Sequence, residues 1–461
     1  MPNVLEVREF DTITCNRDYE NSPFFRYLDE KHFEELEHFI REYTSDEDHA
    51  DALEFMKIGY RRNVGNTITF NNNVGIIELP SGFQIEILPK VSFDDEDAGH
   101  QKTKRIFLNM LCCLKEFEGK AFGDAALNAD RMNLYEIFIN MYLKETRSLV
   151  KHGIKSSYIQ REENLAFYKG KLNVNQHIKS NLAHKERFFM RYDEFQVNRA
   201  ENRLVKAVLL KLQKTTRNID NAREIRQLLT SFELVDASTN YAKDFSQVSI
   251  GRDTKDYVLL IQWAKVFLLN KSFTTFSGEK AGKAILFPME TVFEAFIARW
   301  EKSIFEELSY GSISVSSQDK GYYLFDEPKK FRLRPDIVAR GGNGNKDRVV
   351  IMDTKWKKLK IDPGANYGIS QADMYQMYAY SKKYHAPEIW LLYPYYPDIE
   401  GLSDISFNAV ENGYRNVTVK IFFINLSDYQ DSIRKLYNRI YLRNGAGESD
   451  AGSLQENVLN A

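Results

Sequence analysis

Residues 349–359 read VVIMDTKWKKL. Val349 to Met352 are apolar in an unbroken run, the pattern of a strand buried on both faces. Asp353 and Lys355 follow two positions apart, and side chains two apart on a strand share a face. A buried strand therefore ends by turning a carboxylate and an ammonium into one space. A solvated ion pair at a strand end would be spelled the same way, so the neighbouring sequence has to decide.

Upstream, FRLRPDIVAR (331–340) reads as a strand, and GGNGNKD (341–347) is a Gly- and Asn-rich turn that suits a hairpin. With Arg340 placed opposite Val349, the antiparallel register puts Asp336 opposite Asp353, their Cβ atoms about 5 Å apart. Opposed carboxylates repel unless a cation lies between them. A hard divalent cation fits, since Mg2+ commonly takes one or two carboxylates and completes its shell with phosphate oxygens. Asp336, Asp353 and Thr354 are the expected metal ligands, with Mn2+ able to replace Mg2+. Lys355 on the same face would hold a phosphate oxygen or orient the attacking water. P-D followed by D-x-K is the signature of the PD-(D/E)xK nuclease fold.

The flanking elements extend the pattern. FPMETVFEAFIARWEKSIFEEL (287–308) reads as a helix with Pro288 at its start and apolar residues at 289, 292, 293, 296, 297 and 300. Its Glu294 resembles the acidic residue such nucleases often carry on their first core helix, although Glu290 and Glu294 would also suit a solvated stripe. In SQADMYQMYAYSKKY (370–384), Gln376 and Tyr380 lie one turn apart and resemble the extra Q-x-x-x-Y motif of RecB-like nucleases. Gln371 and Tyr375 share that spacing; Gln376 is preferred for its setting in YQMYAY. EIWLLYP and VTVKIFFINL read as further strands, and a helix from Tyr429 to Tyr441 closes the unit. Helix, strands, helix, strands implies an α/β fold with a mixed sheet flanked by helices.

The chain as a whole has 461 residues, 43% hydrophobic and 28% charged, long enough for more than one domain. Residues 1–100 read as β-rich, with turns in NNN (71–73) and PSG (80–82) and FDDEDAGH (93–100) as a loop. Residues 101–275 read as mainly helical with a hairpin insertion in SYIQREENLAFYKGKLNV (157–174). Polar KSFTTFSGEKAGKA (271–284) marks a boundary, 284–442 a nuclease domain, and 443–461 a disordered tail. The net charge of −2 argues against coating nucleic acid through bulk charge, yet Lys329 to Lys360 carries 11 Lys/Arg against 3 Asp. That local surface is either a solvated basic face or a phosphate-binding one. Three cysteines offer no disulfide framework and point to a reducing, cytoplasmic home. No apolar run is long enough to span a membrane, and no spacing suits zinc.

PMETVFEAFIARW, RPDIVAR, IMDTKWKKL and DMYQMYAYSKKY together resemble blocks of the McrC family, the nuclease subunits of McrBC modification-dependent restriction systems. VGIIELPSGFQIEILPKV, NLAFYKGKLNVNQHIKSN and RYDEFQVNRAENRLVKAVLLKL resemble its upstream blocks. Lys171 stands where an Arg is usual, and residues 1–60 are unmatched. The resemblance implies an Mg2+-dependent DNA endonuclease acting with a McrB-like AAA+ GTPase ring on double-stranded DNA carrying modified cytosine. It also implies that the region before about residue 275 docks on that ring and stimulates it. GTP would be bound by the partner, because this chain has no G-x-x-x-x-G-K-[ST]: GEKAGKA at 278 has the wrong spacing. Asp193, Glu194, Asn198, Asn202 and Arg203 in the upstream block would either lace a helix onto its neighbours or touch DNA or a partner. A stand-alone repair or recombination nuclease of the same fold, and a non-catalytic adaptor, are the competing readings.

Overall fold

The computed structural model describes residues 4–44, 56–91, 96–114, 117, 132–249, 251–269, 283–342, 348–399, 402, 405–411 and 414–442. In its last third, helix α1 (Met289–Leu308) leads into strands β1 (Ile313–Ser317), β2 (Ile337–Gly341) and β3 (Val349–Thr354). Helix α2 (Gln371–Tyr384), strands β4 (Glu388–Pro394), β5 (Ser406–Glu411) and β6 (Tyr414–Ile424), and helix α3 (Tyr429–Tyr441) complete it. The sheet order is β1-β2-β3-β4-β6-β5, with β3, β4 and β6 parallel and the other neighbours antiparallel. This is the expected mixed sheet flanked by helices.

Alternation along the strands decides which helix covers which face. Val350 and Met352 of β3, with Trp390 and Leu392 of β4, pack with Phe293, Phe296 and Ile297 of α1 and Ile433 and Leu436 of α3. Ile351, Ile389, Leu391 and Tyr393 pack on the opposite face with Met377, Tyr380 and Tyr384 of α2. Both faces are buried, which is why β3 and β4 read as continuous apolar runs. FRLRPDIVAR does not form one strand. Lys329–Arg332 pairs with Tyr323–Asp326 in a separate hairpin, and β2 starts only after Pro335, which has no N–H for a ladder.

The N-terminal region is β-rich. Val4–Arg8, Gln84–Leu88 and Asn73–Glu78 form a sheet whose fourth strand is Lys283–Pro288, which starts at the end of the expected boundary segment. Gly75 permits that pairing, because a Cβ there would lie 1.9 Å from the Ile285 carbonyl oxygen. The helices Leu134–His152, Ala200–Thr215 and Val258–Leu269 share one apolar core with α1, β2 and β3. The regions expected as separate domains are thus interlocked. Segment 270–282 and the tail 443–461 lie outside the described residues, as do 93–95 of the expected acidic loop and 343–347 of the expected hairpin turn, and a helix starts at Glu96.

Two further expectations change. Ser157–Leu165 and Lys171–Leu172 do not pair as a hairpin; both pair with Phe188–Gln196. Gly170 lets that third strand pass, since a Cβ there would meet the Arg191 carbonyl oxygen at 2.5 Å. Asp193 and Glu194 lie in this strand rather than on a helix. Asn198, Asn202 and Arg203 do lace the next helix to its surroundings. Asn198 donates to Asp236, Asn202 to the Lys155 and Val197 carbonyls, and Arg203 to Asp244 at 2.5 Å.

Candidate active site

The β2/β3 ladder pairs Arg340 with Val349 and Ile337 with Met352, the expected register, so one step further Asp336 comes opposite Asp353. Asp336 turns its Oδ2 to Thr354 and accepts 2.8 Å hydrogen bonds from both its amide and its hydroxyl. Asp353 is 1% exposed, and Lys355 Nζ lies 2.6 Å from its Oδ2. The sequence thus brings two carboxylates and one ammonium to the end of a buried strand.

Thr354 fits the site through its main chain. The Lys355 N–H donates to Leu392 of β4 at 2.8 Å, so the polar backbone groups of Thr354 turn toward β2. There the register offers Pro335, which has no N–H. The Thr354 hydroxyl is engaged by Asp336, so its carbonyl is the atom left for a cation. Two carboxylates and a carbonyl suit Mg2+, which keeps several waters and rarely takes an all-protein cage. Among the described residues no group of three or more His, Cys, Asp or Glu side chains is arranged to hold a metal.

The electrostatics follow from the burial. Burial pushes the Asp336 carboxyl up, against the Thr354 hydrogen bonds and Lys355. Burial first, then the charge of Asp336, push Asp353 up to about 7 against the pull of Lys355. Burial alone would lower the Lys355 ammonium, but the charges of Asp353, Asp373 and Asp336 outweigh it and raise it. Lys355 therefore carries its proton throughout the neutral range.

Helix α2 supplies the wall facing this cluster. Tyr380 is 3% exposed, donates to the Arg334 carbonyl at 3.0 Å, and accepts from Gln376 at 2.7 Å. Burial, then the charge of Asp353, push its hydroxyl up to about 12. The alternative pair falls away from the cluster, since Tyr375 is 66% exposed. Gln376 and Tyr380 are the pair brought to the site. Glu294 is more remote. It bonds to the Gln318 side chain, and the Gln318 N–H donates to the Asp336 carbonyl at 2.8 Å. It lines a cavity of about 480 Å³ with Thr291, Arg299 and Lys302.

Sequence reasoning passed over three groups. Asp373, in the first turn of α2, lies 3.7 Å from Lys355 Nζ. Only the D-M-Y-Q spacing signals it, by placing Asp373 one turn before Gln376. Tyr393 on β4 is buried on the same face with no hydrogen-bond partner for its hydroxyl. Glu301 of α1 is fully buried, and burial with the charge of Asp336 pushes its carboxyl well above the usual range. No sequence signal separates Glu301 from the charged stripe of its helix.

A link from outside the sheet also reaches this strand. Trp356, next to Lys355, packs on Phe293 and donates its Nε1–H to both carboxylate oxygens of Glu9 at 3.1 Å. Glu9 is wholly buried and also accepts from the Lys90 amide at 3.1 Å. The N-terminal sheet and the candidate catalytic strand are therefore pinned together.

The model of the family described as McrBC 5-methylcytosine restriction system component matches residues 68–394. One similar solved structure is a chain in a refined half-complex from the tetradecameric assembly of Thermococcus gammatolerans McrB AAA+ hexamers with bound McrC. It has a TM-score of 0.67 at 20% identity, over 95% of this chain and 100% of that one. Another, from a cryo-EM structure of the Thermococcus gammatolerans McrBC complex, has a TM-score of 0.48 at 21% identity, over 64% of this chain and 86% of that one. Comparison with curated proteins gives no match. The first likeness shows a shared fold along nearly the whole chain. Among the described residues no helix is long and apolar enough to cross a membrane.

Proposed function

The chain belongs to the McrBC 5-methylcytosine restriction system component family, and from that premise we propose that it is the Mg2+-dependent DNA endonuclease subunit of a GTP-driven restriction complex. The observation that carries this reading is that Asp336 and Asp353 lie one step past the last β2/β3 pair, Ile337 with Met352, with Lys355 Nζ 2.6 Å from Asp353. Asp336, Asp353 and the Thr354 carbonyl would hold the metal. When bound, Mg2+ supplies Lewis-acid polarisation of the phosphodiester and a more acidic water.

The chain's own residues do the rest. Lys355, kept protonated by three carboxylates, places a positive charge where the attacked phosphate gathers negative charge. Tyr380 ties α2 to the Arg334 carbonyl, two residues before Asp336, and so fixes the distance between the helix and the metal-holding strand end. Burial excludes water from the inner side of Asp353 and strengthens each of these interactions. GTP is hydrolysed by a separate AAA+ partner of the McrB kind, and the substrate is double-stranded DNA bearing modified cytosine.

The test is reconstitution. The purified chain is mixed with a McrB-type AAA+ GTPase from the same organism, and with DNA with or without 5-methylcytosine, GTP and Mg2+. Cutting that needs the partner, GTP and the modification is expected. Efficient cutting by this chain alone, indifferent to nucleotide, would replace the reading with a stand-alone nuclease.

A further inference from the structure

The segment YYLFDEPKKFRLR (322–334) leads directly into the site but belongs to neither face of the sheet. Tyr323–Asp326 and Lys329–Arg332 pair only with each other, in the register Tyr323 to Arg332 and Phe325 to Lys330. The hairpin is fastened to α2 at its base, through Tyr322, and beside its turn, through Asp326. The Leu333 N–H donates to the Tyr322 carbonyl at 3.0 Å, the Tyr322 ring lies 4.5 Å from Tyr384, and Lys383 holds Asp326 at 2.7 Å. The Tyr380 bond to Arg334 clamps the chain just before Asp336.

The outer part of the hairpin is unlike a spare loop. Phe325 and Phe331 are 56% and 72% exposed, and their rings meet edge to face at 5.9 Å. Phe331 holds a φ of +56°, which a bulky residue rarely adopts and which costs energy to maintain. A lone two-stranded hairpin cannot bury such a pair by itself. Lys329, Lys330, Arg332 and Arg334 surround it, all exposed. Of the two nearby acids, Asp326 is already neutralised by Lys383.

Aromatic rings flanked by cations fit a polyanion with stacked bases: the cations take phosphates, and the rings take a base face or enter a base step. Reach decides which polyanion. Phe331 precedes Asp336 by five residues, so the two are at most about 18 Å apart, within a single turn of B-form DNA of about 34 Å. A duplex with one phosphate at Asp353 therefore has the hairpin within reach of its next helical turn.

We infer that this hairpin grips duplex DNA beside the cut site, with Lys329, Lys330 and Arg332 on phosphates and the Phe325/Phe331 pair wedged against a base step. The inference rests on the nuclease reading and names the element that presents the substrate to it. It is tested with the full chain and a short duplex carrying 2-aminopurine, with Ca2+ replacing Mg2+ so that binding is read without cutting. K329A/K330A should lower the slope of log affinity against log salt by about two, roughly one per lysine. F325A/F331A should keep the slope, weaken binding about tenfold or more, and abolish the 2-aminopurine rise that reports unstacking. Both pairs lie outside the cores, so melting temperatures should be unchanged. Wild-type affinity, slope and fluorescence in these variants would overturn the inference, as would a wild-type chain that does not bind duplex. Altered oligomer mass or lost stimulation of the partner, with DNA binding intact, would make the hairpin a protein interface and equally overturn it. Cutting by the wild-type chain with its partner in Mg2+ reports on the nuclease reading separately.

Discussion

Replacing Asp336 with Asn separates a metal site from a strand end that merely carries charge. In the wild-type chain without metal, Asp353 is pushed from the ordinary 3.8 to about 7 by burial and then by Asp336. A folded-state value above the unfolded one means stability that is complete below about pH 4 and lost as pH rises through 7. At about 1.4 kcal/mol per pH unit, ionising Asp353 costs up to roughly 4 kcal/mol. Asp336→Asn removes the neighbouring charge, a repulsion on the order of 3 kcal/mol for charges about 5 Å apart at an effective dielectric near 20. It also weakens the two hydrogen bonds from Thr354 by about 1–2 kcal/mol in all. The metal-free mutant should therefore be no less stable than wild type at pH 8. Mg2+ at about a hundred times its dissociation constant should stabilise wild type by roughly 2.7 kcal/mol and the mutant hardly at all. Thermal melts of both proteins at pH 5 and pH 8, with and without Mg2+, read this directly. An equal Mg2+ shift in the two would refute the reasoning, and so would a metal-free mutant that melts well below wild type.

Other outcomes follow from the same geometry. Trp356→Phe keeps the packing on Phe293 but leaves the buried Glu9 carboxylate without its two indole bonds, and should cost about 1–3 kcal/mol in urea unfolding. Burial pushes Glu9 up to about 8, so its ionisation also erodes stability as pH climbs from about 4 to 8, and raising pH should sharpen the Trp356→Phe defect. Tyr380→Phe removes the tie to Arg334 and should slow cutting about tenfold with little change in Mg2+ affinity, measured under single-turnover conditions. A chain cut at residue 275 should fail to give a soluble, cooperatively folding nuclease unit, because α1 loses its core partners and Trp356 loses Glu9; a sharp calorimetric transition from that fragment would contradict this.

What the sequence discloses depends on how local the cause is. The β2/β3 register was legible because the Gly- and Asn-rich sequence between the strands reads as a short connection and because two carboxylates do not oppose each other without a cation. The layering was legible from the apolar runs of β3 and β4. The choice of Gln376 over Gln371 was only half legible, since both have one-turn spacing; burial of Tyr380 against Arg334 separates them. Three features depend on long-range contacts that no pattern encodes. Glu9 meets Trp356 across 347 residues of sequence, Lys283–Pro288 crosses into the N-terminal sheet, and Asp373 meets Lys355 only once α2 is docked. FRLRPDIVAR misled because apolar residues recur at 331, 333, 335, 337 and 339 as in one strand, while the missing N–H of Pro335 divides it.

The central claim is that Asp353 and Lys355 perform phosphodiester cleavage while the region before about residue 275 serves a separate GTPase. It is tested most directly by assaying Asp353→Asn and Lys355→Met in the reconstituted complex, recording cutting of 5-methylcytosine DNA and GTP turnover in the same tubes. The account predicts that cutting falls by about a thousandfold or more, the loss expected for a major electrostatic contributor, while stimulated GTP turnover stays at the wild-type level. Cutting at the wild-type rate in either variant would contradict it.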